Sequence, residues 1–244
     1  MSVSESIKAY DIPERVAGYD SDMELMHPNR NKMLQIMLEL LPIPAGASFT
    51  ALDLGVGTGF FSNAILARFP NCRVIAVDGA ASMVEMAKSR LGPVSERVDF
   101  QIGDFRYLPQ LLPDGQRLDL VYSAYALHHL TWQEKLDVVR EVVGLLKPGG
   151  WFLNADLIVA ASEFTEKRIQ EIRVEGIVRR AAGRDTRFLT ALSTRAFLDD
   201  LEARDNDKPL PLVEDLKILR DAGLGNASAF WVEYREAVTG GFKS

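Results

Sequence analysis

The stretch A-L-D-L-G-V-G-T-G-F-F, Ala51 to Phe61, decides how this chain reads. An apolar run gives way to Gly55, Gly57 and Gly59 in alternation, then to two phenylalanines. Glycines that alternate after a strand let backbone approach a ligand, because no Cβ intervenes. The dinucleotide fingerprint G-x-G-x-x-G would put its third glycine at position 60. Phe60 stands there, and a ring at that point crowds the helix–strand contact that the fingerprint keeps open. NAD and FAD are therefore disfavoured.

Outward from this loop the chain alternates strands with helices. Residues 49–56 read as a buried strand, 60–69 as a helix, 73–78 as a second strand and 82–91 as a second helix. Ser82 and Glu85 have capping-box spacing, as do Thr131 and Glu134 ahead of a helix whose apolar face is Leu136, Val139, Val142, Val143 and Leu146. Strands follow at 98–104, 118–125 and 151–158, the last preceded by the stop signal Lys147-Pro148-Gly149-Gly150. This alternation predicts an α/β fold with right-handed crossovers and a mostly parallel sheet. Residues 163–206 are helical, polar and arginine-rich, 211–224 form an amphipathic helix, and 227–234 with 235–242 read as a closing hairpin. The expected organisation is an N-terminal helical lid over 1–45, then an α/β domain over 46–244 with a helical insertion at about 160–208. Both additions should cover the carboxyl ends of the strands, where open α/β sheets bind ligands.

The G-x-G-x-G form, with Asp53 two residues ahead, resembles the first motif of the class I S-adenosylmethionine-dependent methyltransferases. Four more stretches keep the family's order: V-I-A-V-D ending at Asp78, Gly103-Asp104-Phe105, D-L-V-Y-S-A-Y-A-L-H-H-L, and L-L-K-P-G-G-W-F. The resemblance implies a Rossmann-like, seven-stranded methyltransferase fold and S-adenosylmethionine as cofactor, with S-adenosylhomocysteine as product. It implies that Asp53 anchors the loop or the methionine amine. Asp78 takes the ribose hydroxyls, Asp104 accepts from the adenine amine, and Met83 and Phe105 pack on the adenine faces. Gly55, Gly57, Thr58, Gly59, Gly79 and Ser123 complete the implied cofactor set. The flanking segments 15–33 and 214–231 are similar in layout to the branch that contains carboxy-S-adenosylmethionine synthase of tRNA wobble-uridine modification. That branch departs from G-x-G-x-G, which this chain keeps.

Methyl transfer needs alignment, exclusion of water and sometimes a proton acceptor. His128 and His129 follow the fourth strand, beside the expected methyl position, and are the candidate catalytic residues. His27, Tyr19 and Tyr125 are candidates for the substrate wall, with Tyr10 beside them. Three histidines alone invite a metal, yet no carboxylate falls at ligand spacing from them in the chain, so no metal is expected. The insertion carries Lys167, Arg168, Arg173, Arg179, Arg180, Arg184 and Arg187, a basic stretch that suits an anionic substrate unless it is a solvated helix face.

Composition narrows the rest. A chain of 244 residues, 47% hydrophobic and 25% charged, buries a full core. No stretch of about 18 apolar residues occurs, the first residues lack an apolar signal region, and Cys72 is the single cysteine. A cytoplasmic, reducing location is expected. The formal charge of −6 argues against nucleic acid as partner. The expected partner is a small molecule, with no membrane and with a homodimer among the expected assemblies. The leading function is methyl transfer to an oxygen or nitrogen of a small molecule. Its rivals are chemistry on a carboxylated cofactor, methylation of tRNA or protein, and a module that binds the cofactor without turnover.

Overall fold

The computed structural model describes residues 4–244; residues 1–3 of the expected lid lie outside the described residues. Three helices open the chain: α1 (Glu5–Tyr10), α2 (Pro13–Met26) and α3 (Arg30–Leu40). The α/β part follows as β1 (Phe49–Leu54), α4 (Phe60–Arg68), β2 (Cys72–Asp78), α5 (Ala81–Leu91), β3 (Val98–Ile102), α6 (Leu108–Leu111), β4 (Leu118–Ala124), α7 (Trp132–Leu145) and β5 (Leu146–Leu157). The inserted helices are α8 (Glu163–Ala181) and α9 (Ala191–Asp205), and α10 (Leu212–Asp221), β6 (Gly225–Glu233) and β7 (Glu236–Phe242) close the chain.

The seven strands lie in the order β3-β2-β1-β4-β5-β7-β6. The first five are parallel, and β7 runs antiparallel to both β5 and β6. The order reverses between β1 and β4, so the crevice for a ligand opens at their carboxyl ends. Side chains alternate along β1. Ala51 packs with Met33, Met37, Phe61, Ile65 and Val84 on the face covered by α3, α4 and α5. Leu52 and Leu54 pack with Leu136, Val139, Val142, Ile218 and Leu219 on the face covered by α7 and α10. Period-2 alternation thus builds both hydrophobic layers and leaves Asp53, on the first face, at the end of the crevice.

Two local expectations change. The Thr131–Glu134 capping box forms at the start of α7. The Ser82–Glu85 box does not: Ala80 is the N-cap of α5, and the Ser82 amide donates to Asp11 Oδ1 of the lid at 2.8 Å. A tertiary contact has replaced the local one. The fifth strand begins at Leu146 rather than 151, because the Gly149 amide donates to the Lys243 carbonyl at 2.7 Å and the Lys243 amide returns to Gly150 at 2.9 Å.

The lid and the insertion clasp each other over the carboxyl ends of the strands. Asp205, at the end of α9, takes the Arg15 guanidinium and the Tyr10 hydroxyl. Arg187 donates to Asp22 and Asp185, and Arg180 Nε to the Leu25 carbonyl. Arg173 pairs with Glu202. Much of the insertion's basic charge is thus spent inside the fold.

Candidate active site

The loop after β1 turns on Gly55, Gly57 and Gly59, all at positive φ. At Gly57, φ is +51° and a Cβ would stand in open space, so the loop leaves a cradle there. Its amide donates to Asp78 Oδ2 at 2.8 Å, and Asp78 Oδ1 accepts from the Ala80 amide at 2.9 Å. Each carboxylate oxygen keeps a lone pair for a ligand hydroxyl. Burial raises the Asp78 carboxyl, against the backbone amides that lower it.

Asp53 is buried beneath this loop. Its Oδ2 accepts from Ser62 Oγ at 2.6 Å, and Ser62 in turn lies 2.7 Å from the Tyr122 hydroxyl. Burial pushes the Asp53 carboxyl up to about 7, although those hydroxyls act to lower it.

A cavity of about 250 Å³ runs from this loop to the lid. Asp53, Gly55, Gly57, Thr58, Asp78, Gly79, Met83, Asp104 and Phe105 all line it, whereas Gly59 does not. Three further details differ from expectation. Ser123 is fully buried and donates to the Leu54 carbonyl at 2.8 Å; it ties β4 to β1 and does not reach the cavity. Thr58 gives its hydroxyl to Asp20 of α2 at 3.1 Å, so it fastens the lid to the loop. The Asp104 carboxylate already receives the Arg106 guanidinium, which Glu134 holds from the other side at 2.8 Å.

Arg30 was missed in the sequence. It lies 3.9 Å over the Phe60 ring, donates to Asp20 at 2.7 Å, and lines the cavity with a buried Nε that has no hydrogen-bond partner. The ring at position 60, which argued against a dinucleotide, serves here as its platform.

The far wall of the cavity is Tyr10, Tyr19, Tyr125 and His129. Tyr125 follows the end of β4 at φ +50°, a backbone region uncommon for a side chain of this size. Its hydroxyl donates to Glu236 Oε1 at 2.6 Å, which helps hold the residue there. His27 does not reach this cavity. It lies 3.3 Å from the same Glu236 oxygen, stacks near Tyr125 at 4.9 Å, and lines a second cavity of about 50 Å³ that shares the three tyrosines. Burial lowers the His27 imidazole, although Glu236 acts to raise it.

His128 and His129 part company. His128 turns from the large cavity, with Nδ1 2.6 Å from Asp156 Oδ1. Burial opposes its charge, but Asp156 and Asp207 outweigh that and push it up to about 10. Burial, and the charge on His128, lower the His129 imidazole. The His129 ring lines this wall, and His128 lines the second cavity instead.

The residues present fit S-adenosylmethionine. A ribose diol suits Asp78, an ammonium suits the carboxylate of Asp53, a carboxylate suits Arg30, and the Gly57 cradle lets backbone close in. A pyrophosphate would instead meet two carboxylates at the loop.

Comparison with known proteins agrees. Residues 51–150 match the family described as the methyltransferase domain. An uncharacterised methyltransferase of Anoxybacillus flavithermus is 33% identical over 141 residues, covering 58% of this chain and 62% of that protein. The malonyl-[acyl-carrier protein] O-methyltransferase of Methylococcus capsulatus is 33% identical over 158 residues, covering 64% of this chain and 51% of that protein. The chain thus spans less than two thirds of the length of both relatives. In fold it resembles human N-acetylserotonin methyltransferase in complex with S-adenosylmethionine, with a TM-score of 0.59 at 18% identity over 96% of this chain and 58% of that one. The fold and glycine loop define a Rossmann-like methyltransferase architecture. Residues 51–150 thus carry a methyltransferase domain, and the chain is similar to S-adenosylmethionine-dependent class I methyltransferases. No helix among the described residues is long and apolar enough to cross a membrane.

Proposed function

We propose that this protein is an enzyme that transfers the methyl group of S-adenosylmethionine to an oxygen or nitrogen of a small molecule. One observation carries the reading: a single cavity joins the glycine loop and Asp78 to the wall of Tyr10, Tyr19, Tyr125 and His129. When bound, the cofactor supplies an activated sulfonium methyl. Asp78 and Gly57 hold its ribose end, Asp53 and Arg30 its amino-acid end, and Met83 and Phe105 its base. The lid helices, fastened by Thr58–Asp20 and Arg15–Asp205, exclude water. The acceptor lies against the tyrosines, whose rings orient it, with the His129 ring facing the same space.

The cavity's volume of about 250 Å³ and the internal pairing of the insertion's arginines favour a small acceptor over tRNA. The Methylococcus relative, named for an O-methyl transfer, supports oxygen ahead of nitrogen. The test is transfer from methyl-labelled S-adenosylmethionine to pools of small carboxylates and phenols, with tRNA and protein pools in parallel. Label in a small-molecule pool is expected. Label confined to tRNA or protein contradicts the acceptor class, and no label in any pool contradicts turnover.

A further inference from the structure

Behind His129, three ligand-type atoms converge from two distant parts of the chain. His128 and His129 sit on the short helical turn after β4, and Asp207 follows the end of α9. Asp207 Oδ1 lies 3.1 Å from His129 Nδ1 and 3.5 Å from His128 Nε2, and the three atoms lie within 4.8 Å of one another. Yet His129 Nδ1 and Asp207 Oδ1 are buried and make no hydrogen bond. Close atoms with poor mutual geometry are aimed at a shared point instead of at each other.

We propose that His128 Nε2, His129 Nδ1 and Asp207 Oδ1 form a binding site for a divalent transition cation of the zinc type. Bonds of about 2.0–2.1 Å in a tetrahedral arrangement set ligand atoms roughly 3.3 Å apart, close to the 3.1 and 3.5 Å from Asp207 Oδ1 to the two imidazole nitrogens. Two imidazoles and one carboxylate also make the three-ligand set that leaves coordination positions open. The second layer is in place. Asp156 Oδ1, at 2.6 Å, receives Nδ1–H of His128, so the proton that a cation would displace is the one on Nε2, toward the site. Asp156 is buried and Asp207 is largely enclosed, and a divalent cation that displaces the His128 proton would balance both carboxylates.

The backbone fixes the two halves together. The Lys208 amide donates to the His128 carbonyl at 2.7 Å, and Lys208 Nζ to the His129 carbonyl at 3.1 Å. Asn206 turns the chain at φ +58° so that Asp207 points back at the histidines. The open positions face the boundary between the two cavities, since His129 lines the larger and His128 and Asp207 the smaller. There the cation would take an oxygen or nitrogen of the acceptor and ease loss of its proton. That use rests on the methyl-transfer reading; the cation site itself does not.

The experiment is calorimetric titration of the chelator-stripped full-length protein with Zn²⁺, and separately with Co²⁺ followed by visible absorption. One saturable site per chain is expected, with cobalt bands that show nitrogen and oxygen ligation. Asp207→Asn and His129→Gln should each weaken binding by on the order of tenfold or more, and Asp156→Asn by roughly 10–100-fold. Cooperative thermal unfolding certifies each variant as folded, and if Asp207→Asn fails that check, His129→Gln decides. No saturable binding of either ion by the folded wild type overturns the proposal. So does equal affinity in a folded Asp207→Asn or His129→Gln. Neither result bears on the S-adenosylmethionine site, which is titrated independently.

Discussion

Asp78 and Gly57 are joined across the crevice, the carboxylate Oδ2 accepting the loop amide at 2.8 Å. The residue that would clamp the ribose is therefore also the one that shapes the glycine loop. Its other oxygen accepts from Ala80 at the start of α5, so loop, strand and helix meet at one carboxylate.

Asp78→Ala removes both roles. Cofactor affinity should drop by roughly 1.5–3 kcal/mol for each charged hydrogen bond lost, read by calorimetry with S-adenosylhomocysteine on protein checked for intact secondary structure. Unchanged affinity would remove Asp78 from the ribose site.

Asp53 predicts a pH dependence of binding. Burial holds its carboxyl up to about 7 in the cofactor-free protein, so below that pH it carries a proton. Pairing with an ammonium needs the ionised form. Affinity should fall as pH drops through about 7, approaching roughly tenfold per unit. It should fall again above roughly 8, where an α-ammonium loses its own proton. Asp53→Asn should abolish the acid limb. An acid limb that persists in that variant assigns the titration elsewhere.

Arg30 should act on one end of the cofactor only. Arg30→Met keeps the aliphatic contact with Phe60 and removes the guanidinium. S-adenosylhomocysteine should bind more weakly by about 1.5–3 kcal/mol, while methylthioadenosine, which lacks the amino-acid end, should bind as before. Equal losses for both ligands would make Arg30 a general support of the loop.

The Asp205 clamp should govern how tightly the lid is held. Asp205→Asn weakens the contact to Arg15 and Tyr10 and should loosen α1 and α2 by about 1–3 kcal/mol. Limited proteolysis should then cut the first 26 residues faster, with the sheet still protected. Cleavage at the wild-type rate would show that Arg187–Asp22 and the Thr58–Asp20 contact hold the lid without it.

What was legible in the sequence is what sits close together in the chain. The glycine loop, Asp78 and the Gly103–Phe105 stretch each lie at the end of one strand, where strand and turn chemistry fix their place. Ser123 carried the family's pattern but not its implied role, because its side chain is turned to the Leu54 carbonyl inside the sheet. The rest depends on long-range contacts. Asp207 reaches His128 and His129 only after the whole insertion has folded back, so no ligand spacing is visible along the chain. Arg30 looks like an ordinary helix-start cation until the Phe60 ring and Asp20 hold it in the cavity. The Ser82–Glu85 spacing was a valid local signal that lost to Asp11 from the lid.

The most direct test of the account is calorimetric titration of the purified, folded, ligand-free protein with S-adenosylmethionine and S-adenosylhomocysteine. The account predicts one site per chain for each, with affinity on the order of micromolar. Absence of binding to both ligands would contradict it, and the cavity between Gly57 and the lid would then belong to a different molecule.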